Sequence, residues 1–229
     1  MPPNAALLLL ADSRLPAGGH GHSGGVEQAV RTGAVTGTED LRGFLRGRLA
    51  TTGLVTAALA AAACELAEAS EPKPGEDMWR RLDGEADART ASPAQRSAAR
   101  TQGRLLLRGA RRIWPSPALD TLARAVPEGP HHPVVLGAVA AAARCSPYDA
   151  ALATAYTAIT GPATAAVRLL GLDPVDVHRV LAGLVAALEG VARAATARTA
   201  WEDLPAHAAP ALDLLAEQHL RTEVRLFVS

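Results

Sequence analysis

Aromatic residues are scarce in this sequence. Three Trp, two Tyr and two Phe make up 3% of its 229 residues. β-branched residues are also thin, so strands have little to build on. Lysine is rarer still: the only one is Lys73, in EPKPGED. A P-loop nucleotide hydrolase needs a lysine behind a glycine-rich loop to reach the phosphates. Lys73 stands between two prolines with no such loop before it, which excludes that class. Net charge is absent too, with 23 basic and 23 acidic residues. A general nucleic-acid binder needs a basic excess to neutralise phosphates. The two cysteines, Cys64 and Cys145, lie far apart in alanine-rich stretches and match no metal spacing. They are expected to pack as small apolar groups in a reducing compartment. The opening MPPNAALLLLADSR has no basic n-region and only a short apolar run, so it does not read as a signal peptide. No apolar run looks long enough to span a bilayer. The expectation is a soluble cytoplasmic protein with no membrane contact.

What is present favours helix. Hydrophobic residues are 48% of the chain, and alanine, the strongest helix former, dominates them. Ser92-Pro93-Ala94-Gln95 offers an N-cap, a proline at the first helical position and a side chain able to reach back. Ser146-Pro147-Tyr148-Asp149 and Asp173-Pro174-Val175-Asp176 repeat the pattern, with a first-turn carboxylate to oppose the helix dipole. Leu181, Leu184, Val185, Leu188 and Val191 recur at helical spacing, as do Leu41, Phe44, Leu45 and Leu49. Helices are predicted near 5–11, 23–32, 39–69, 77–90, 93–113, 117–125, 133–144, 147–170, 174–200 and 207–222. The fold class is therefore all-α: one domain over 1–229, a bundle of about ten helices. The ends, 1–22 and 220–229, are expected to stay mobile until a partner binds and orders them.

Several constellations could carry chemistry. Gly21-His22-Ser23-Gly24-Gly25 matches G-x-S-x-G, the nucleophile elbow. An elbow needs preceding strands and an oxyanion loop, and neither precedes it here. The simpler reading is a turn whose Ser23 caps the helix holding Val26, Glu27 and Val30. His20 and His22 form an H-x-H pair flanked by glycines, able to reach one nickel or zinc ion. Two ligands make a weak site; Glu27 or a second copy of the chain could add to it, and two loop histidines at an interface is the simpler alternative. His131-His132 reads as a helix entry before Pro133. Arg96, Arg100, Arg104, Arg108 and Arg112 stand four apart, with Arg111 beside them. Each step drifts about 40° around a helix, so the stripe winds. It suits either a solvated face balanced by Glu76, Asp77, Asp83, Glu85 and Asp87, or a docking face for an acidic partner or DNA. Arg168, late in a long apolar helix, fits a C-terminal position that favours a cation without any partner. At the close, His219 falls on the face of Leu212 and Leu215, and Arg225-Leu226-Phe227-Val228-Ser229 reads as an end that docks, because free Leu226, Phe227 and Val228 would invite association.

Three of these segments resemble one family. ADSRLPAGGHGHSGGVEQAV is similar to the N-terminal signature S-x-x-L-P-x-G-G-x-x-x-S-x-G-[LIV]-E of the urease accessory protein F family, with Leu15, Pro16, Gly18, Gly19, Ser23, Gly25 and Glu27 in register. ATAYTAITGPATAAVRLLGLDPVDVHRVL resembles the family's long helix ending in Arg-Leu, here Arg168-Leu169. His219 and Arg225-Leu226-Phe227-Val228-Ser229 resemble its terminal H…R-L-F-x-S. The sequence departs where the family commonly has aromatics (His20 and His22) and where it continues Arg-Leu with Pro-Leu-Gly-Gln (Gly171-Leu172-Asp173-Pro174). The resemblance implies an all-α, usually dimeric protein without catalysis of its own. It implies partnership with urease accessory proteins D (also called H) and G and with apo-urease. The D complex recruits G, a GTPase carrying nickel, and couples hydrolysis to nickel delivery. No cofactor is implied on this chain, and nickel is handled by the complex. On that reading Leu15, Pro16, Gly18, Gly19, Ser23, Glu27, Arg168, His219, Arg225, Leu226, Phe227 and Ser229 meet a partner, and His20 and His22 are the candidate metal ligands. A nickel-binding metallochaperone and a helical DNA-binding regulator are the alternatives.

Overall fold

The computed structural model describes residues 5–15, 18–69, 74–197 and 200–228. Among these there are eleven α-helices and no strand. In chain order they are α1 Ala6–Ala11, α2 Val26–Arg31, α3 Thr38–Glu68, α4 Glu76–Ala88, α5 Pro93–Ile113, α6 Pro117–Ala125, α7 His132–Ala142, α8 Pro147–Leu170, α9 Pro174–Ala182, α10 Val185–Thr196 and α11 Pro210–Leu220. The proline-led starts are seen as their chemistry requires. Ser146 and Asp149 close a full capping box on α8, and the Asp173 carboxylate accepts from the Val175 amide at 2.8 Å. Ser92 accepts from the Gln95 amide at 3.2 Å. The side chain that completes this cap is Glu217 of α11, not Gln95. It accepts from the Ser92 hydroxyl at 2.5 Å and the Ala94 amide at 2.9 Å.

Two sequence expectations need correction. The helix predicted over 174–200 is two helices, because Gly183 and Leu184 leave the α ladder as a turn, Leu184 N–H bonding back to Leu181 C=O at 2.9 Å. Glycine at that point removes the helix propensity that would carry the ladder through. Second, one apolar helix does reach membrane-spanning length: α3, which runs 31 residues. Two-thirds of its apolar window is buried inside the protein, which is the position of a core helix.

The core is built around the later half of α3, which packs on α7 and α8. Its face is nearly all alanine: Ala57, Ala58, Ala60, Ala61 and Ala63 are fully buried. Such small side chains let backbones approach closely. Gly137 of α7 marks the tightest point, since a Cβ there would lie 2.1 Å from the Ala60 carbonyl oxygen. Cys64 and Cys145 are free and buried in this core. The Cys64 thiol lies 3.5 Å from the Cys145 carbonyl oxygen, and burial pushes the Cys145 thiol up to about 11. They pack as inert small groups. α10 packs on α3 and α8, α6 on α4, and α11 on α2 and α5. Of the sparse aromatics, Trp79 of α4 is fully buried.

The arginine stripe on α5 divides by depth. Arg100 donates to Asp83 at 2.9 Å and to Asp87 at 2.6 Å, two carboxylates of α4. Asp83 also accepts the His131 amide at 2.7 Å, and His131 Nε2 lies 2.8 Å from Asp87. Burial pushes the Asp83 carboxyl up, while the His131 amide and Arg100 pull against it. Asp83, Asp87 and His131 are the one three-ligand cluster among the described residues, and the Arg100 guanidinium already occupies it. Arg96 donates to the Thr90 and Ala91 carbonyls, and Arg104 to the Glu128 carbonyl. Arg111 pairs with Asp120. Much of the stripe thus serves to fasten α5 to its neighbours.

The α3–α7 contact yields a direct prediction. Gly137→Ala must push Ala60 away and should destabilise the protein by at least about 2 kcal/mol. A urea titration that gave an unchanged midpoint would contradict this packing.

Candidate partner-binding site

The three sequence segments that resemble one family meet in space. α2 begins after a turn in which Gly24 and Gly25 have φ of 59° and 90°. These left-handed conformations suit glycine. The turn brings Ser23, which is completely buried, back onto the helix, and its hydroxyl oxygen accepts the Glu27 amide at 3.4 Å. The sequence predicts Ser23 as the cap, but the N-cap position is taken by Gly25, whose left-handed turn sets Ser23 two residues further back, with only this long bond to the first turn. A fully buried hydroxyl engaged in this way cannot meet a substrate, so the elbow reading fails.

Glu27 follows in the first turn of α2, where the helix dipole favours a carboxylate. It is 4% exposed. Its two oxygens accept backbone N–H groups from the far end of the chain, Leu226 at 2.7 Å and Phe227 at 3.0 Å. The tail is held at three further points. The Val228 amide donates to the Gly21 carbonyl at 2.7 Å. Arg31 donates to the Val224 carbonyl. His219, 2% exposed on α11, has Nε2 3.2 Å from the Phe227 carbonyl oxygen and 3.9 Å from a Glu27 oxygen. A carbonyl only accepts, so Nε2 carries the proton in this contact. The Phe227 ring is buried, and the Arg168 guanidinium stands over it, 5.1 Å from the ring centre. Arg168 therefore has an aromatic partner, where the sequence required none.

The structure thus joins Glu27, Arg168, His219, Leu226 and Phe227 in one latch, with Ser23 beneath it. Arg225 is exposed beside them. Leu15 and Gly18 lie elsewhere: Leu15 packs at the edge of the core, and a Cβ on Gly18 would meet Leu105 of α5. Gly19 opens the short 3-10 turn Gly19–Gly21. Pro16 and Ser229 lie outside the described residues. Gly21 and Arg31 belong to the latch although sequence reasoning gave them no role there. A backbone carbonyl carries no sequence signal, and nothing marks Arg31 off from other helix-end arginines.

His20 is exposed, and His22 is half-buried. Both line a cavity of about 1470 Å³ that also touches His132, Arg168, His219 and Phe227. Burial, and secondly the neighbouring His20, hold His22 below the usual histidine range. His132, the first residue of α7, is pushed down to about 4, first by burial and then by His22. Both Glu27 oxygens already accept from the tail, so a metal at His20 and His22 would compete with those bonds for this carboxylate.

Two predictions follow from this geometry. Glu27→Ala strands the buried Phe227 amide and the part-buried Leu226 amide, and losing even one charge-assisted bond of about 1.5 kcal/mol should speed tryptic cleavage after Arg225 by about tenfold, with helicity retained. An unchanged cleavage rate would contradict the latch. His132 has a folded pKa of about 4 against an ordinary value of about 6.5. The unfolded chain takes up its proton first, so this contribution is complete above about pH 6.5 and is lost as pH falls to about 4, a change of roughly 3–4 kcal/mol. His132→Gln should flatten the stability profile in that window; a slope equal to that of the wild type would contradict it.

The family model UreF matches residues 35–185. The urease accessory protein UreF of Mycobacterium sp. (strain JLS) is 48% identical over 223 residues, 97% of each chain. Those of Mycolicibacterium vanbaalenii and Mycobacterium tuberculosis (strain H37Rv) are 46% and 45% identical over 225 residues, 98% of each chain. The family match takes in Arg168 but not Glu27 or the tail, whereas the relatives align over nearly the whole length. The chain belongs to the UreF family.

Proposed function

We propose that this chain is a non-catalytic accessory protein in the maturation of urease. On this reading it works in the cytoplasm as a homodimer. It binds the D/H-type accessory protein and recruits and regulates the GTPase accessory protein G while nickel is delivered to apo-urease. The names of its relatives support the accessory role. The observation that carries the reading is the latch. Main-chain bonds anchor the tail, while Val224, Leu226 and Val228 stay 79%, 55% and 63% exposed. An anchored strip with apolar side chains turned outward is a surface for another polypeptide. The buried Ser23 and the lone Lys73 support a protein without hydrolytic machinery of its own.

Removal of 220–229 should abolish co-purification with the D-type partner while circular dichroism stays helical. Co-purification undiminished by the deletion would refute the assignment. A second reading, nickel contact at His20 and His22, is favoured by the placement of His132 on the same cavity wall. Calorimetry with nickel ions on wild type and on His20→Ala/His22→Ala should then show heat lost in the double variant; equal heats would remove it.

A further inference from the structure

Arg48 sits where α3 passes beside α8 and the turn before α2. Pro162 lies inside α8. Proline has no N–H, so the carbonyl four residues earlier, that of Ala158, loses its helical donor. Arg48 supplies the replacement: its Nε donates to Ala158 C=O at 2.9 Å, and its Nη1 donates to Gly24 C=O at 2.9 Å. A guanidinium has five N–H donors. Two are used, and Nη2 has no hydrogen-bond partner among the described residues.

The charge of this group is also unmet. No carboxylate among the described residues forms an ion pair with it. Burial pushes its pKa down to about 10, with no acid to restore it, so it remains a cation at neutral pH. A partly desolvated cation without a counter-charge is costly and attracts an anion. Space exists for one. Arg48, Gly24, Thr52 and Thr56 line the large cavity. A Cβ on Gly24 would lie 3.2 Å from Nη2, so glycine keeps that edge clear. Directly after Arg48 the helix passes through a π turn, Leu49–Gly53, a local irregularity that recurs at functional sites.

We propose that Arg48 anchors a site for a small oxyanion of the carboxylate, carbonate or phosphate class, taken by the free Nη edge of its guanidinium. The planar fork of arginine matches paired oxygens of this kind. The inference does not depend on the partner assignment above, since it concerns the chain alone.

Thermal unfolding of the full chain in acetate, bicarbonate or phosphate, against chloride at equal ionic strength, tests it. At tenfold excess over Kd the wild type should gain about 3–6 °C and then saturate. Arg48→Gln should keep only the gradual, non-saturating rise that excluded anions give any protein. No saturable gain in the wild type, or the same gain in Arg48→Gln, would overturn the site. Should Arg48→Gln not fold, side-chain ¹⁵N spectra of the wild type replace it. One arginine Nε resonance should shift saturably with acetate, and that shift should be absent in Arg48→Lys. No shifting resonance, or one that persists in Arg48→Lys, would equally overturn the proposal.

Discussion

A carboxylate removed from water must find donors or become protonated. Glu27 finds them in the amides of Leu226 and Phe227, about 200 positions further along the chain. The rest of the terminal arrangement depends on this contact. It fixes the height at which the tail crosses α2, and that height puts the Phe227 carbonyl against His219 and the ring beneath Arg168. At the same crossing Phe227 turns inward, while Leu226 and Val228 face out. Recognition of the tail by Glu27 is through main-chain N–H groups, so it fixes register without consuming the outward side chains.

The scaffold that presents this latch is made of small residues. Alanine and glycine at the α3–α7 contact allow backbones to approach within reach of one another, and a core of this kind needs few aromatics. Polar fastening does what large side chains do elsewhere. Arg100 joins α5 to α4 through two carboxylates, Glu217 ties α11 to the start of α5, and Arg48 joins α3 to α8 and to the glycine turn. Glu217 acts at a helix start and Arg48 at a break in a helix, where unpaired backbone groups await a partner. Proline at position 162 creates one such need, and Arg48 answers it.

Local chemistry made much of the fold legible. Ser146, Asp149 and Asp173 announce helix starts because their side chains bond within three residues, and His219 shares a face with Leu212 by simple periodicity. The break at Gly183 and Leu184 escaped, because the apolar pattern continues through it in phase. Gln95 looked like the reach-back side chain of α5, but a stronger acceptor, Glu217, arrives from 123 positions away. The site was legible only as likeness: Glu27, Arg168 and Phe227 stood in separate segments, and nothing in their spacing requires them to touch. Arg48 gave no signal at all. Its role depends on Pro162, which on sequence alone is merely a proline in a helix.

The central claim is that the Glu27 carboxylate holds the tail. Amide hydrogen exchange at Leu226 and Phe227 reports it most directly, since those two N–H groups are the ones it binds. In the wild type both should exchange markedly more slowly than the Arg225 amide beside them, and Glu27→Ala should bring all three to a common fast rate while the amides of α3 and α7 stay protected. Slow exchange at Leu226 and Phe227 that survives Glu27→Ala, or fast exchange there in the wild type, would contradict the account.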